Sequence, residues 1–228
     1  MSPGPLVDPA DVPGWLSTLI TATAGLDASA LTRVRPPSGK ATRPAAVLML
    51  LGDGHDGPDV LLTRRADTLN SHPGQVAFPG GRTDDTDQGP VATALREAEE
   101  EAGVLADGVR PIALLPELFV PVSGFMVTPV LAYWERPSPV RAVDPGETAS
   151  VARVPIAHLT DPANRFRVMH PSGFTGPAFA APGMLVWGFT AGLLAGLLQL
   201  AGWERPWDTS DVRDLDESLR AASAEVQA

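Results

Sequence analysis

Four of the five residues at 97–101 are glutamates (Glu97, Glu99, Glu100 and Glu101), with Arg96 directly before them and Gly103 close behind. Like charges at helical spacing repel one another, so such a cluster calls for a strong positive partner. Hard divalent cations such as Mg²⁺ and Mn²⁺ prefer carboxylate oxygens and are the natural candidates. At 3.6 residues per turn, Glu97, Glu100 and Glu101 stand at i, i+3 and i+4 and share one helix face. Glu99 points elsewhere, toward solvent. A bare acidic run reads first as a solvated surface, but two neighbours argue for a prepared site. The pair Gly80-Gly81 follows the apolar run Val76-Ala77-Phe78-Pro79 and marks a strand ending in a turn where backbone can approach a ligand. Arg96 can bridge carboxylates across helical turns and fix their rotamers, a preorganisation that a metal site needs and a surface helix does not.

The segment resembles the signature of the Nudix hydrolases: a glycine, five residues, an acid, seven residues, then Arg-Glu-x-x-Glu-Glu-x-Gly. Here Gly81 is followed by five residues, Asp87, eight residues, and then the run from Arg96 to Gly103. The aspartate in place of glutamate and the additional residue are similar to the variant of the coenzyme A pyrophosphatase branch. Upstream, Leu61-Leu62-Thr63-Arg64-Arg65 and His72-Pro73-Gly74-Gln75-Val76-Ala77-Phe78-Pro79-Gly80-Gly81 resemble that branch's second signature. Together the two likenesses cover 61–104 without a gap. A weaker one continues through Ser123-Gly124-Phe125, Pro129 and Trp187-Gly188-Phe189-Thr190-Ala191, whereas the first 40 or so residues match nothing recognisable.

The resemblance implies an α/β (α+β) Nudix-type sandwich, a mixed β-sheet between helices with the motif as loop–helix–loop. It implies divalent-metal-dependent hydrolysis of the pyrophosphate bond of coenzyme A or acyl-CoA, giving 3′,5′-ADP and 4′-phosphopantetheine or its acyl form. Glu97, Glu100 and Glu101 would hold Mg²⁺ or Mn²⁺, with the Gly81 carbonyl as a further ligand, while Arg96 and Asp87 would orient the glutamates. A general base is often recruited from outside the box. Glu147 is the candidate, Glu117 the alternative, and a solvated loop acid the plain reading of either. Arg64, His72 and Arg82 are candidate phosphate contacts, and Arg65 reads as a surface charge. Arg165 and Arg167 are a candidate pair for the 3′-phosphate. The rival functions are a Nudix pyrophosphatase acting on ADP-ribose or another nucleoside diphosphate derivative, and a non-catalytic binding or regulatory module of the same fold. Nothing resembles the NADH-cleaving branch's signature, and the intact acidic cluster speaks against a lapsed site.

Composition agrees with this. The 228 residues are 44% hydrophobic, enough for a sizeable core, and contain no cysteine for disulfides or thiolate zinc sites. A net charge of −10 argues against nucleic acid as a partner, and a small anionic substrate then requires metal or local arginine. Lys40 is the sole lysine, so the remaining positive charge is arginine, the better fork for phosphate. With no basic leader and cleavage site at the start, a cytoplasmic protein is expected.

The elements that must position the cluster follow from the pattern. We read residues 1–40 as an N-terminal extension with a short helix near 12–20 and a loop through 36–39. Residues 41–208 form the Nudix domain, and 209–228 a polar tail that folds as a short surface helix or frays. Strands are expected at 45–51 and 59–64 as a hairpin with a long loop, and at 75–78, 112–120, 127–134, 151–154 and 165–170. A loop spans 137–146, and a helical turn lies near 156–159. Pro90 suits the first turn of the motif helix and Gly103 its C-terminal cap. Residues 183–202 carry no charge and are long enough to span a bilayer, with Gly188, Gly192 and Gly196 four apart. Their glycine content and missing basic flank favour a buried helix whose glycines approach the sheet, and so no membrane partner. The same helix is a candidate homodimer surface.

Overall fold

The computed structural model describes residues 2–36, 42–69 and 72–225. Most of the loop read at 36–39, as well as Lys40, lies outside them. In chain order the elements are β1 (Gly4–Pro5), α1 (Gly14–Thr23), β2 (Arg43–Gly54), β3 (Gly57–Arg65), β4 (Val76–Ala77), β5 (Gly80–Arg82) and α2 (Pro90–Ala102). Next come β6 (Val109–Leu114), β7 (Leu118–Val120), β8 (Phe125–Trp134), β9 (Thr148–Pro155) and α3 (Ile156–Leu159). The chain continues through β10 (Arg165–Met169), β11 (Thr175–Ala181), β12 (Met184–Val186), α4 (Gly188–Leu200), β13 (Val212–Asp214) and α5 (Leu215–Glu225).

Among the described residues, nine strands form one mixed sheet along the path β1-β6-β8-β2-β3-β4, with β5 on β2, β7 on β8 and β9 on β3. The long β2–β8 pair is parallel, from Arg43↔Phe125 to Gly52↔Trp134, while the neighbouring pairs are antiparallel. A smaller sheet, β12-β11-β10-β13, stands beside it.

Side chains alternate across the pleat, and the two faces of β2 bury different partners. Ala46, Leu48 and Leu50 pack with Ala94, Ala98 and Ala102 of α2, while Met49 and Leu51 pack with Leu16, Leu19 and Ile20 of α1 and Leu193, Leu194, Leu197 and Leu198 of α4. This is the expected sandwich of a mixed sheet between helices. The alanines of α2 stand four apart, so the helix offers the sheet a strip without bulky side chains and can lie close upon it. That closeness brings the following glutamates down to the level of the strands.

The structure corrects several expectations. The first hairpin has a tight turn, because Gly54 pairs with Gly57 and the latter takes φ 96°, so both strands run to its tip. The strand expected over 112–120 is broken at Leu115-Pro116-Glu117 into β6 and β7. Residues 183–202 are not one helix, since β12 uses the first of them for pairing with β11, and α4 spans 13 residues, about 20 Å at 1.5 Å per residue. No helix among the described residues is long and apolar enough to cross a membrane. The glycines of α4 do not press on the sheet either. A Cβ at Gly196 would come within 2.7 Å of the Leu31 side chain in the N-terminal segment, and one at Gly192 would meet nothing. Within 209–228 the short helix of the expectation forms as α5, but the region also adds β13 to the small sheet and seats Leu215, Leu219 and Ala222 against Phe166 and Val168.

Leu194 is fully buried where α4 meets α1 and the sheet. Truncating it deletes transfer free energy and leaves a cavity, so Leu194→Ala should lower unfolding stability by roughly 3 kcal/mol. Urea denaturation checks this as a lower midpoint at unchanged slope.

Candidate active site around the motif helix

The site starts from the ends of α2. Pro90 opens the helix with φ preset and no N–H to satisfy, and Gly103 closes it at φ 70°, donating to the carbonyls of Ala98 and Glu99. Between these ends Arg96 organises the carboxylates. Its Nε donates to Asp87 Oδ1 at 3.1 Å, and Nη2 donates to Asp87 Oδ2 at 2.9 Å and to the Arg82 carbonyl at 3.0 Å. Nη1 donates to Glu97 Oε1 and Glu100 Oε2, both at 3.0 Å. All five guanidinium N–H groups are thereby engaged. The bidentate pair holds the Asp87 carboxyl well below the usual carboxylate range, and the same bonds raise the Arg96 pKa. The loop from β5 to α2 is locked to the middle of the helix it precedes.

The glutamates do not share one environment. Glu101 reaches down to Gly80, whose N–H donates to Oε2 over 3.4 Å. Burial pushes its carboxyl up to about 7, the neighbouring Glu97 charge adds to the rise, and the Gly80 N–H and Arg65 oppose it. Glu97 is also raised by burial, with Arg96 working against the shift. It lies against Gly81, where a Cβ would stand 2.5 Å from the carboxylate carbon. Only glycine permits that approach. At Gly80 a Cβ would stand 2.4 Å from the Ala46 carbonyl, so the first glycine serves strand packing and the second serves the carboxylate. Glu100 is held outward by Arg96 with 59% of its side chain exposed, and Glu99 is exposed as expected.

Among the described residues, no three acidic or histidine side chains already converge as a metal cluster. Glu97 and Glu101 sit together at the glycine pair, and Glu100 lies one ion pair away. The donor set nevertheless fits a hard cation. Two crowded carboxylates are half-withdrawn from water beside a backbone cradle that a side chain would fill, and among the described residues neither Glu101 oxygen has an arginine hydrogen-bonded to it.

Around this pair the remaining candidates separate. Glu147 lies at the start of β9; its carbonyl accepts from the Ala66 N–H at 2.8 Å, and its charge adds to the rise at Glu101. Glu117 instead lines a cavity at the opposite, N-terminal end of α2. Arg64 is tied to Asp67 at 2.6 Å. Arg82 is exposed, and its carbonyl rather than its side chain is bound by Arg96. His72 takes φ 54°, an uncommon conformation outside glycine that marks a sharp bend before β4. Arg165 is removed from any phosphate: it is 3% exposed and lies between the rings of Phe179 and Trp207, at 5.0 and 4.6 Å. Its Nη1 is ion-paired with Glu204 at 3.0 Å.

Arg65 is the residue that sequence reasoning missed. Its Nε is buried with no hydrogen-bond partner among the described residues, and its charge acts on Glu101. A β-bulge between Arg64 and Arg65 in the pairing with β9 upsets simple alternation at this point, so strand periodicity gave no signal of which arginine turns to the site.

Comparison with known proteins bears on this arrangement. The NUDIX domain profile matches residues 41–170. An uncharacterized Nudix hydrolase NudL of Cronobacter sakazakii is 39% identical over 153 residues, covering 65% of this chain and 78% of that protein. The NudL of Escherichia coli K12 is 45% identical over 100 residues, 44% of this chain, so the match spans about half (51%) of its length. Among solved structures, a Nudix hydrolase from M. smegmatis, RenU, superposes with TM-score 0.50 at 18% identity, covering 76% of this chain and 96% of that one, a likeness of fold.

Because its carboxyl titrates lower in the folded state than in the unfolded one, Asp87 stabilises the fold above the unfolded carboxylate pKa of about 3.9 and loses that contribution as pH falls through the folded value. Thermal melts should show Asp87→Asn less stable than wild type at pH 6, with the gap narrowing steadily below about pH 4.

Proposed function

The chain belongs to the NUDIX domain family, and from that premise we propose that this Nudix hydrolase cleaves the pyrophosphate bond of coenzyme A or its acyl thioesters. The products are 3′,5′-ADP and 4′-phosphopantetheine or its acyl form. The observation that carries the reading is the crowded Glu97–Glu101 pair at Gly80-Gly81, held by Arg96, inside an unbroken run of motif residues over 61–104. A pyrophosphate is shielded by its own negative oxygens, so hydrolysis needs that charge offset and a nucleophile prepared. Mg²⁺ or Mn²⁺ held by Glu97, Glu101 and, after release from Arg96, Glu100, with the Gly81 carbonyl, would supply both.

This chain's own residues do the rest. Arg96 and Asp87 hold the loop and the glutamates in register. Glu147, an exposed carboxylate whose charge reaches Glu101, serves as the general base that takes the water's proton. Arg65, whose Nε lacks a partner, binds a phosphate oxygen on the strand side of the cleft. His72 and Arg82 flank the glycine turn as further substrate contacts, while Arg64 would have to leave Asp67 to join them.

Incubation with coenzyme A, ADP-ribose and dinucleotides, with Mg²⁺ or Mn²⁺, tests the reading. Release of 3′,5′-ADP from coenzyme A should outpace every other cleavage, and faster turnover of ADP-ribose would reassign the substrate. Glu101→Gln should abolish turnover with the circular dichroism spectrum unchanged, whereas retained activity would remove that residue from the site. Glu147→Gln should lower kcat about 10²- to 10⁴-fold, the range for losing a positioned base. Gly81→Ala should lose activity through displacement of Glu97.

A further inference from the structure

A cavity of about 370 Å³ lies at the N-terminal end of α2, apart from the acidic pair. Its floor is the sheet, with Leu114, Leu115 and Thr128, and its wall is Thr83 and Pro90, with Glu117 contributing a carboxylate. Two observations mark it as more than a packing gap. Thr128 is 9% exposed, and its hydroxyl makes no hydrogen bond among the described residues, although it lines the cavity. Buried hydroxyls ordinarily find a partner. In addition, the N-cap of α2 is Gly89, which offers no side chain to the first turn; Pro90 has no N–H and that of Thr93 donates to the Gly89 carbonyl, which leaves the amides of Val91 and Ala92 as donors at that end.

The lining carries no arginine, lysine or histidine, and Glu117 adds negative charge, so no side chain there would neutralise a phosphate. It offers apolar surface, hydroxyls that both donate and accept, and one acceptor carboxylate. Charge is thus segregated along the helix: Arg65 acts on Glu101 at the acidic end, and no basic side chain lines the cavity.

The separation also fits a chain leaving a pyrophosphate. Thr83 is two residues beyond Gly81, roughly 7 Å along an extended strand, and Pro90 precedes Glu97 by seven residues, about 10 Å along the helix axis. We propose that this cavity binds an uncharged, amide-bearing chain and, resting on the substrate reading above, that it seats the pantetheine arm of coenzyme A. The Thr128 hydroxyl and the free amides of α2 meet the chain's carbonyls, Glu117 accepts from its N–H groups, and Leu114, Leu115 and Pro90 cover its methyl and methylene groups.

Free pantetheine is the probe, since it carries the chain without either phosphate. Calorimetric titration into the full chain, with EDTA present to exclude metal effects, should show saturable binding. Thr128→Val, nearly isosteric, should weaken it about five-fold, the loss of one hydrogen bond, and Glu117→Ala should weaken it comparably. Absence of saturable binding, or equal binding by both variants, overturns the inference. Kinetics separate this result from the substrate reading. Both variants should raise KM for coenzyme A with kcat little changed. Coenzyme A hydrolysis with KM unaltered in both would sink the cavity's role and leave the substrate reading standing. Pantetheine binding that follows the variants, in a protein that does not cleave coenzyme A, would support the cavity and sink the substrate reading.

Discussion

The guanidinium of Arg96 is the tie on which the arrangement depends. It spends every donor it has, two on Asp87, one on the Arg82 carbonyl, and one each on Glu97 and Glu100. One rigid planar group therefore fixes the entry loop, the helix and two carboxylates relative to one another. Lysine has no such fork and would leave most of these acceptors unmatched. Without this tie, the loop of 83–89 would carry Asp84, Asp85 and Asp87 beside a glutamate-rich helix with nothing to offset the repulsion.

Two other features make that tie productive. The alanine strip of α2 lets the helix settle on the strands, and Gly81 of β5 leaves room for the Glu97 carboxylate that comes down with it. Each would be idle alone. Close packing over a strand with a side chain at 81 would clash with Glu97, and a glycine at 81 beneath a distant helix would meet nothing. The result is a pair of carboxylates crowded and partly dehydrated, poised to accept positive charge.

Much of this was legible beforehand because it is local. Pro90 and Gly103 fixed the helix ends, helical spacing placed Arg96 with Glu100, and the apolar runs marked β2, β3 and β8. What escaped was non-local or depended on competition between partners. Glu100 has the right spacing for the face of Glu97 and Glu101, yet Arg96 draws it outward. Arg165 looks like a phosphate ligand in the sequence, but Phe179 from β11 and Trp207 from beyond α4 enclose it. The uncharged stretch at 183–202 carries no mark of where strand gives way to helix, because both halves are buried. Arg65 was hidden by a bulge, and the cavity by α2 drawing together residues from Thr83 to Thr128.

The short strand at Gly4–Pro5 has an influence out of proportion to its length. It pairs with Leu114 and Ala113, and Leu6 donates to the Ile112 carbonyl at 2.9 Å, so the outer rim of β6 is sheathed. An unsheathed rim invites another chain to add a strand. Two residues near the start of the chain thus act as a guard against aggregation, and proline, which has no N–H to offer a newcomer, is well suited to that post.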